Sequence, residues 1–352
     1  MNFAEKILDW YDQNKRDLPW RQTNIPYKIW LSEIIMQQTQ IIQGTSYYLK
    51  FIETYPTIFD LAEASEQDVL VLWQGLGYYS RARNLHKTAN QIVEKYKGEF
   101  PSKYDELIQL KGVGDYTASA IASICFNEAK PAVDGNVMRV ISRIYGINEP
   151  INKASGRNKI VKLSNSILSR VNPGDYNQAV MDFGSRHCKK NAPLCDTCIF
   201  NMNCFACLND RINEFPNKEK PKAKTKEYYN YFVCINENSN QIIIQKRTEG
   251  IWLNLYEFPL IVSDRKLSQK EILNRFIKQS DQFGEIKLSE VREEQKQVLS
   301  HKEIFISFYI LKIDFYSEKD TVINNSYKFV LIDDLINFPF PVVLKKFVDS
   351  YF

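Results

Sequence analysis

The apolar positions divide the chain in two. From the N-terminus to about residue 210 they recur at helical spacing, interrupted by short polar turns. Phe3, Ile7, Leu8 and Tyr11 make one amphipathic face. Ile25-Pro26 opens a helix that carries Trp30, Glu33, Ile34, Gln37 and Gln38, proline being suited to a first helical turn. The same period predicts helices near 59–73, 80–96, 115–126, 134–145, 157–170 and 176–186, and no strand pattern of comparable strength. After residue 227 the pattern changes. Tyr229–Ile235 and Gln241–Lys246 read as strands joined by the turn Asn236–Asn240. Ser268-x-x-Glu271 is a capping box that opens a helix. Glu303–Phe315 and Phe329–Ile332 are further β-rich runs. Between the two halves, residues 213–227 hold two prolines, alternating lysines and few apolar side chains, the composition of a linker. The fold class this predicts is a mainly α region, residues 1–212, followed by an α+β domain, residues 228–352.

A length of 352 residues fits two domains, and an apolar fraction of 44% is ample for their cores. The net charge of +4, from 46 basic and 42 acidic residues, neither demands nor excludes nucleic acid. Local clustering says more. Lys153, Arg157, Lys159, Lys162, Arg170, Arg186, Lys189 and Lys190 face only Asp175 and Asp182 over the same stretch. Such a cluster is either a solvated helix face or a face turned to a polyanion. No apolar run reaches the roughly eighteen residues of a membrane span, and the first residues lack a signal-peptide pattern. A cytoplasmic protein is expected.

One stretch carries a possible binding chemistry. Tyr104–Leu110 reads as helical, Gly112-Val113-Gly114 as a tight turn, and Asp115 onward as a second helix. Glycines let the backbone N–H groups face outward, and a helix N-terminus favours phosphate. Helix, Gly-x-Gly turn and helix is the hairpin form that grips a DNA backbone. A dinucleotide-binding turn is excluded, since the third glycine is missing and a helix rather than a strand precedes the turn. Asp134 follows at a second turn.

Cys188, Cys195, Cys198 and Cys204 are separated by six, two and five residues. Four thiols this close match either a tetrahedral zinc site or a 4Fe–4S cluster, and the six–two–five spacing favours the cluster. Such a cluster can act as a staple, fixing Arg186, Lys189 and Lys190 around it. Cys125, Cys207 and Cys234 fall outside the spacing and are expected to be packed thiols, and His187 a surface neighbour.

The hairpin Leu110–Ala118 with Asp134 after it resembles the helix-hairpin-helix DNA glycosylases, and the cysteine loop resembles their iron–sulfur branch. Within that branch, Leu18-Pro19-Trp20-Arg21, Pro26-Tyr27, Trp30-Leu31-Ser32-Glu33, Gln37-Gln38-Thr39-Gln40, Gly75–Asn84 and Asn177–Asp182 resemble the adenine DNA glycosylases. The C-terminal part is similar to that family's Nudix-like domain through Gly250-Ile251-Trp252, Glu257-Phe258-Pro259 and Leu299-Ser300-His301. The resemblance implies a six-helix barrel over about 23–133, an iron–sulfur domain built from 1–22 with 134–212, and a Nudix-like recognition domain over 228–352. It implies removal of adenine mispaired with 8-oxoguanine, or guanine, in duplex DNA, by a monomer associated with the nucleoid and bearing a 4Fe–4S cluster.

The residue types make physical sense of that chemistry. Adenine leaves poorly as an anion, so it must be protonated as the glycosidic bond breaks. Partial burial of Glu33 among Trp30, Leu31, Ile34 and Ile35 would raise its pKa and hold the proton. Asp134 is the carboxylate that stabilises the oxocarbenium-like sugar, a division of roles also found in glycoside hydrolysis. Apart from the resemblance, Glu33 reads more readily as a solvated helix residue and Asp134 as a helix N-cap. By resemblance, Tyr116 and Asn136 accompany the two acids, and Arg21, Trp30 and Gln178 line the adenine pocket. Gln37, Gln38, Thr39, Tyr78, Ser80, Arg81, Gly112, Val113 and Gly114 meet the DNA, with Gln38 and Tyr78 filling or wedging the duplex once the base is flipped. Ser300 and His301 face 8-oxoguanine.

Three positions depart from the family pattern. Lys111 stands where proline is usual, Asp115 places an acid at the hairpin, and Leu299 replaces an aromatic residue before Ser300. The Nudix hydrolase box is absent after Phe258-Pro259, which implies a recognition domain without pyrophosphatase activity. Two rivals remain at this stage. An endonuclease III-like lyase needs a Schiff-base lysine two residues after the second hairpin glycine, where this chain has Tyr116. A non-catalytic DNA-binding redox sensor would account for the cysteine loop but not for the pairing of Glu33 with Asp134.

Overall fold

The computed structural model describes residues 2–220, 223–279, 286–313, 322–323 and 327–352. Residues 221–222 of the expected linker and 314–315 at the end of the expected strand lie outside them. Two compact units emerge, and the division does not follow the chain: Met1–Ala64 with Asn84–Lys220 forms the first, and Ser65–Arg83 with Pro221–Phe352 the second.

The helices before residue 210 are α1 (Phe3–Asn14), α2 (Pro26–Met36), α3 (Ile41–Thr54), α4 (Ile58–Glu63), α5 (Glu66–Leu72), α6 (Ser80–Tyr96), α7 (Tyr104–Leu107), α8 (Asp115–Phe126), α9 (Gly135–Tyr145), α10 (Ala154–Ile167), α11 (Pro173–Arg186) and α12 (Phe205–Leu208). The expected helix over 59–73 is two helices. Ser65 accepts a hydrogen bond from the Asp68 N–H and so caps a new start at Glu66. α11 begins three residues earlier than the periodicity indicates, because Pro173 occupies its first turn. Helix α2 is apolar almost all round, with Ile29, Trp30, Leu31, Ile34 and Ile35 buried, which makes it a central helix rather than a surface one. It packs on α3 and α8, while α11 packs on α1, α8 and α9. Ile7 and Tyr11 of α1 share a core with Val137, Val140 and Ile141 of α9, Val180 and Phe183 of α11, and Phe200.

The expected linker is partly fastened down. The Ile151 N–H donates to the Asn217 carbonyl at 3.0 Å, Asn152 and Glu219 exchange two bonds of 3.1 Å, and Lys153 pairs with Glu219 at 3.0 Å. Its last residues already belong to a strand.

In the second unit, β1 (Thr225–Asn236), β2 (Gln241–Lys246), β3 (Tyr256–Glu257), β4 (Leu260–Ser263), β5 (Ile286–Val298), β6 (Lys302–Ile313), β7 (Val322–Ile323) and β8 (Tyr327–Leu331) form one eight-stranded mixed sheet. Its order is β5-β6-β1-β2-β8-β7, with β3 on β2 and β4 on β1; β1 and β6 run parallel and the other pairs antiparallel. Alternation along β1 sends Tyr229, Tyr231 and Val233 to one face and Phe232 and Cys234 to the other. Helix α14 (Val342–Tyr351) covers the first face, with Phe347 stacked on Phe308 at 4.0 Å. Helix α13 (Gln269–Gln279), opened by the Ser268–Glu271 box, covers the second, with Phe276 stacked on Phe232 at 3.8 Å. The segment with α5 joins this unit through side chains: Tyr79 Oη donates to the Phe340 carbonyl at 3.0 Å and Arg83 to the Leu253 carbonyl at 2.7 Å. Among the described residues no helix is long and apolar enough to cross a membrane.

Candidate active site

Glu33 of α2 opens into a cavity of about 220 Å³ whose lining residues all belong to the first unit. Asp134 reaches the same cavity from the start of α9, Tyr116 from the first turn of α8, and Gln178, Met181 and Ser185 from one face of α11. The two expected acids therefore meet. Asp134 is also a helix N-cap: its Oδ1 accepts the Val137 N–H at 2.7 Å and its Oδ2 accepts Asn136 Nδ2 at 2.7 Å. Each carboxylate oxygen keeps a further acceptor site, so the cap orients the group without consuming it. Asn136 is held in turn by Arg139, whose guanidinium also donates to the Cys188 and Gly184 carbonyls. Only glycine fits at 184, since a Cβ there would lie 2.7 Å from that of Asn136.

Burial raises the pKa of both acids, and the groups that oppose it differ. Burial raises the Glu33 pKa most strongly, the Tyr116 hydrogen bond lowers it, the Asp134 charge raises it and Arg21 lowers it, leaving it at about 7 instead of 4.5. Burial also lifts Asp134, against the opposing hydrogen bonds from Val137 and Asn136 and the charge of Arg139. The Tyr116 phenol is pushed well above its ordinary value, first by burial and then by the two acids, so it remains a donor. Its hydroxyl faces Glu33 and also lies 3.1 Å from Met181 Sδ. Arg21 is fixed by a two-pronged pair with the buried Asp182, at 2.5 and 2.7 Å, and Arg16 binds the same carboxylate. Burial opposes ionisation of Asp182, but these hydrogen bonds and charges outweigh it and hold its carboxyl below the usual range.

The hairpin beside the cavity has the expected form. Gly112 has φ +75°, and a Cβ there would lie 2.6 Å from that of Asn84. Gly114 caps α8 with open space where a Cβ would stand.

Comparison with known proteins agrees with this arrangement. Residues 31–165 match the family profile described as the HhH-GPD superfamily of base excision DNA repair proteins, and residues 230–350 match the NUDIX domain. The adenine DNA glycosylase of Buchnera aphidicola subsp. Baizongia pistaciae is 37% identical over 329 residues, spanning 91% of this chain and 90% of that protein. That of Mus musculus is 31% identical, spanning 89% and 71%. The chain belongs to the adenine DNA glycosylases. Among solved structures, a thermostable thymine-DNA glycosylase superimposes with a TM-score of 0.54 at 27% identity, covering 59% of this chain and 95% of that one. The chain is thus a DNA N-glycosylase of base excision repair, with a helix-hairpin-helix region followed by a Nudix-like domain.

The remaining expected residues of this glycosylase are placed unevenly. Arg21, Thr39, Asn136 and Gln178 line the cavity. Trp30 does not: it is fully buried against Tyr27 and Phe100. Gln37 donates to Thr117 Oγ1 at 3.3 Å. Gln38 and Tyr78 both hold left-handed backbone, at φ 58° and 49°, a conformation costly for residues with a side chain. Tyr78 and Ser80 are exposed, whereas Arg81 is buried over the Trp73 ring and donates to the Leu76 and Gly77 carbonyls, so it braces its loop instead of projecting from it. Val113 is buried as well. Tyr78, Ser80, Arg81, Ser300 and His301 belong to the second unit. Ser300 and His301 are exposed at the β5–β6 turn, 3.2 Å apart between Oγ and Nδ1. Sequence reasoning missed Met181, Ser185 and Asp182. Met181 and Ser185 lie three and seven positions after Gln178, the helical spacing of one face.

Cys188, Cys195, Cys198 and Cys204 line one further cavity, and Cys207 lines it with them. Cys207 packs against the first unit's core, as expected of a packed thiol, and its place at this cavity adds to that reading. The signal was present, since Cys204-Phe-Ala-Cys207 repeats the spacing of Cys195-Asp-Thr-Cys198. His187 borders the same cavity with its ring stacked on Phe183. Among the described residues no three His, Cys, Asp or Glu side chains are placed to hold a single metal ion. The thiols surround a space rather than converge on a point, and N–H groups already address them: Arg143 Nη1 lies 3.5 Å from Cys188 Sγ and the Phe200 N–H 3.4 Å from Cys198 Sγ. That donor set is one a 4Fe–4S cluster could use.

Proposed function

We propose that the protein removes adenine opposite 8-oxoguanine, or guanine, from duplex DNA without cutting the strand, acting as a cytoplasmic monomer at the nucleoid. The observation that carries this is the single cavity shared by Glu33 and Asp134, with Tyr116 bonded to the first. Glu33, half-protonated near pH 7, donates to the leaving adenine, worth roughly 10²–10⁴-fold. Asp134, oriented by Val137 and Asn136, faces the cationic sugar with its free acceptor sites. Tyr116 stays protonated and holds the Glu33 carboxyl in place. Arg21, anchored by Asp182, and Gln178 bound the base.

Among the described residues no lysine lines this cavity, which supports hydrolysis over Schiff-base chemistry. Ser300 and His301 present exposed polar groups for the damaged purine. Pyrophosphate chemistry in the Nudix-like domain is not part of the proposal, since Glu257 is buried and committed to Arg247, Gln245 and Tyr231. Residues 23–133 would form the barrel, 1–22 with 134–212 the cluster domain, and 228–352 the recognition domain. A 4Fe–4S cluster held by Cys188, Cys195, Cys198 and Cys204 would cross-link the loop, fixing Arg186, Lys189 and Lys190 toward phosphate.

Incubation with a duplex containing 8-oxoguanine opposite adenine, with and without borohydride, tests this. Free adenine, an intact abasic strand and no covalent capture are expected. Efficient capture mapping to a lysine, or release of a base other than adenine, would contradict it.

A further inference from the structure

We propose that Cys207 is a reserve ligand for the iron–sulfur cluster, placed to take over from Cys195. The proposal rests on the cluster assignment above. Five thiols border one cavity where a cubane needs four. Cys207 is the hydrogen-bond partner of Cys195. The two differ in how they are held. Cys195 lies in a stretch without regular structure, between the exposed Leu194 and Asp196. Cys207 sits on α12, whose Ala206 is fully buried and whose Phe205 ring packs on Phe215 at 5.8 Å. Both thiols are half-buried, with Cys195 on the irregular segment and Cys207 on the packed helix.

The exchange balances without a co-reactant. The iron–sulfur bond to Cys195 would break as one to Cys207 forms, and the proton that Cys207 releases would go to the freed Cys195 sulfur. No electron moves and the ligand charge is unchanged. Loss of the Cys195 ligand then leaves the cluster bound.

Iron and acid-labile sulfide, measured on purified full-length protein together with the visible absorbance, test this. Wild type carrying neither would remove the cluster assignment and this proposal together. With wild type loaded, C195S should keep most of its iron and sulfide, and C195S/C207S should lose them. C198S, which lacks a comparable neighbour, should lose them too. A C195S variant as depleted as the double variant would overturn the proposal and leave the cluster assignment intact. Should C195S fail to fold, C207S keeps all four expected ligands: iron loss to a chelator should be several-fold faster than in wild type, and an unchanged rate would overturn the proposal.

Discussion

Glu33 is a carboxyl on a mostly buried helix, open to a cavity, and that placement has two measurable consequences. As the proposed general acid, with a pKa of about 7, it loses its proton as pH rises through that value. The base-excision rate constant under subsaturating DNA should therefore fall above pH 7, and Glu33→Gln should lower it by roughly 10²–10⁴-fold. The second consequence concerns stability. A folded-state pKa of about 7 against an ordinary 4.5 means that the folded state holds a proton the unfolded chain releases. Stability is lost as pH rises between these values. Glu33→Gln removes that loss, so in denaturant titrations it should gain on wild type across this window by up to about 3 kcal/mol, less where the cavity is wet, and gain nothing below pH 4.5. Asp182 behaves in the opposite way. Asp182→Asn leaves Arg21 and Arg16 without their counter-charge and should destabilise by about 3 kcal/mol in the same titration.

At the scale of elements, the hairpin separates two uses of glycine. Gly112→Ala meets both a positive φ and Asn84, and should cost about 1–2 kcal/mol or more, read as a lowered thermal midpoint. Gly114→Ala meets nothing and should leave the midpoint near wild type, so any loss of duplex binding by that variant reports the added methyl standing between the turn and the phosphate. Most helices were legible because one apolar face repeats along each. The break at Ala64–Ser65 was not, since the apolar spacing continues across a cap formed by one hydroxyl. Strand β5 was also missed: Lys287, Glu290, Arg292 and Lys296 crowd a sheet edge that needs no alternating apolar side.

For the molecule as a whole, the two acids were readable from sequence motifs, but their meeting in one cavity was not, because α2 and α9 are distant in the chain and joined only by packing. Asp182 was unreadable as an anchor for the same reason, its partners lying on the other side of the first unit's sequence. The grouping of Ser65–Arg83 with the C-terminal residues has no signature in that segment's own pattern. Cys207 is different, since its spacing from Cys204 was visible and the structure places it at the same cavity as the other four thiols. The proposed excision requires Glu33 and Asp134 to act on one flipped nucleotide. Single-turnover adenine release from an 8-oxoguanine:adenine duplex, by wild type, Glu33→Gln, Asp134→Asn and the double variant, measures this directly. The double variant should be barely slower than the worse single variant, as for residues that work as a unit. Losses that multiply, or full activity in either single variant, would contradict it.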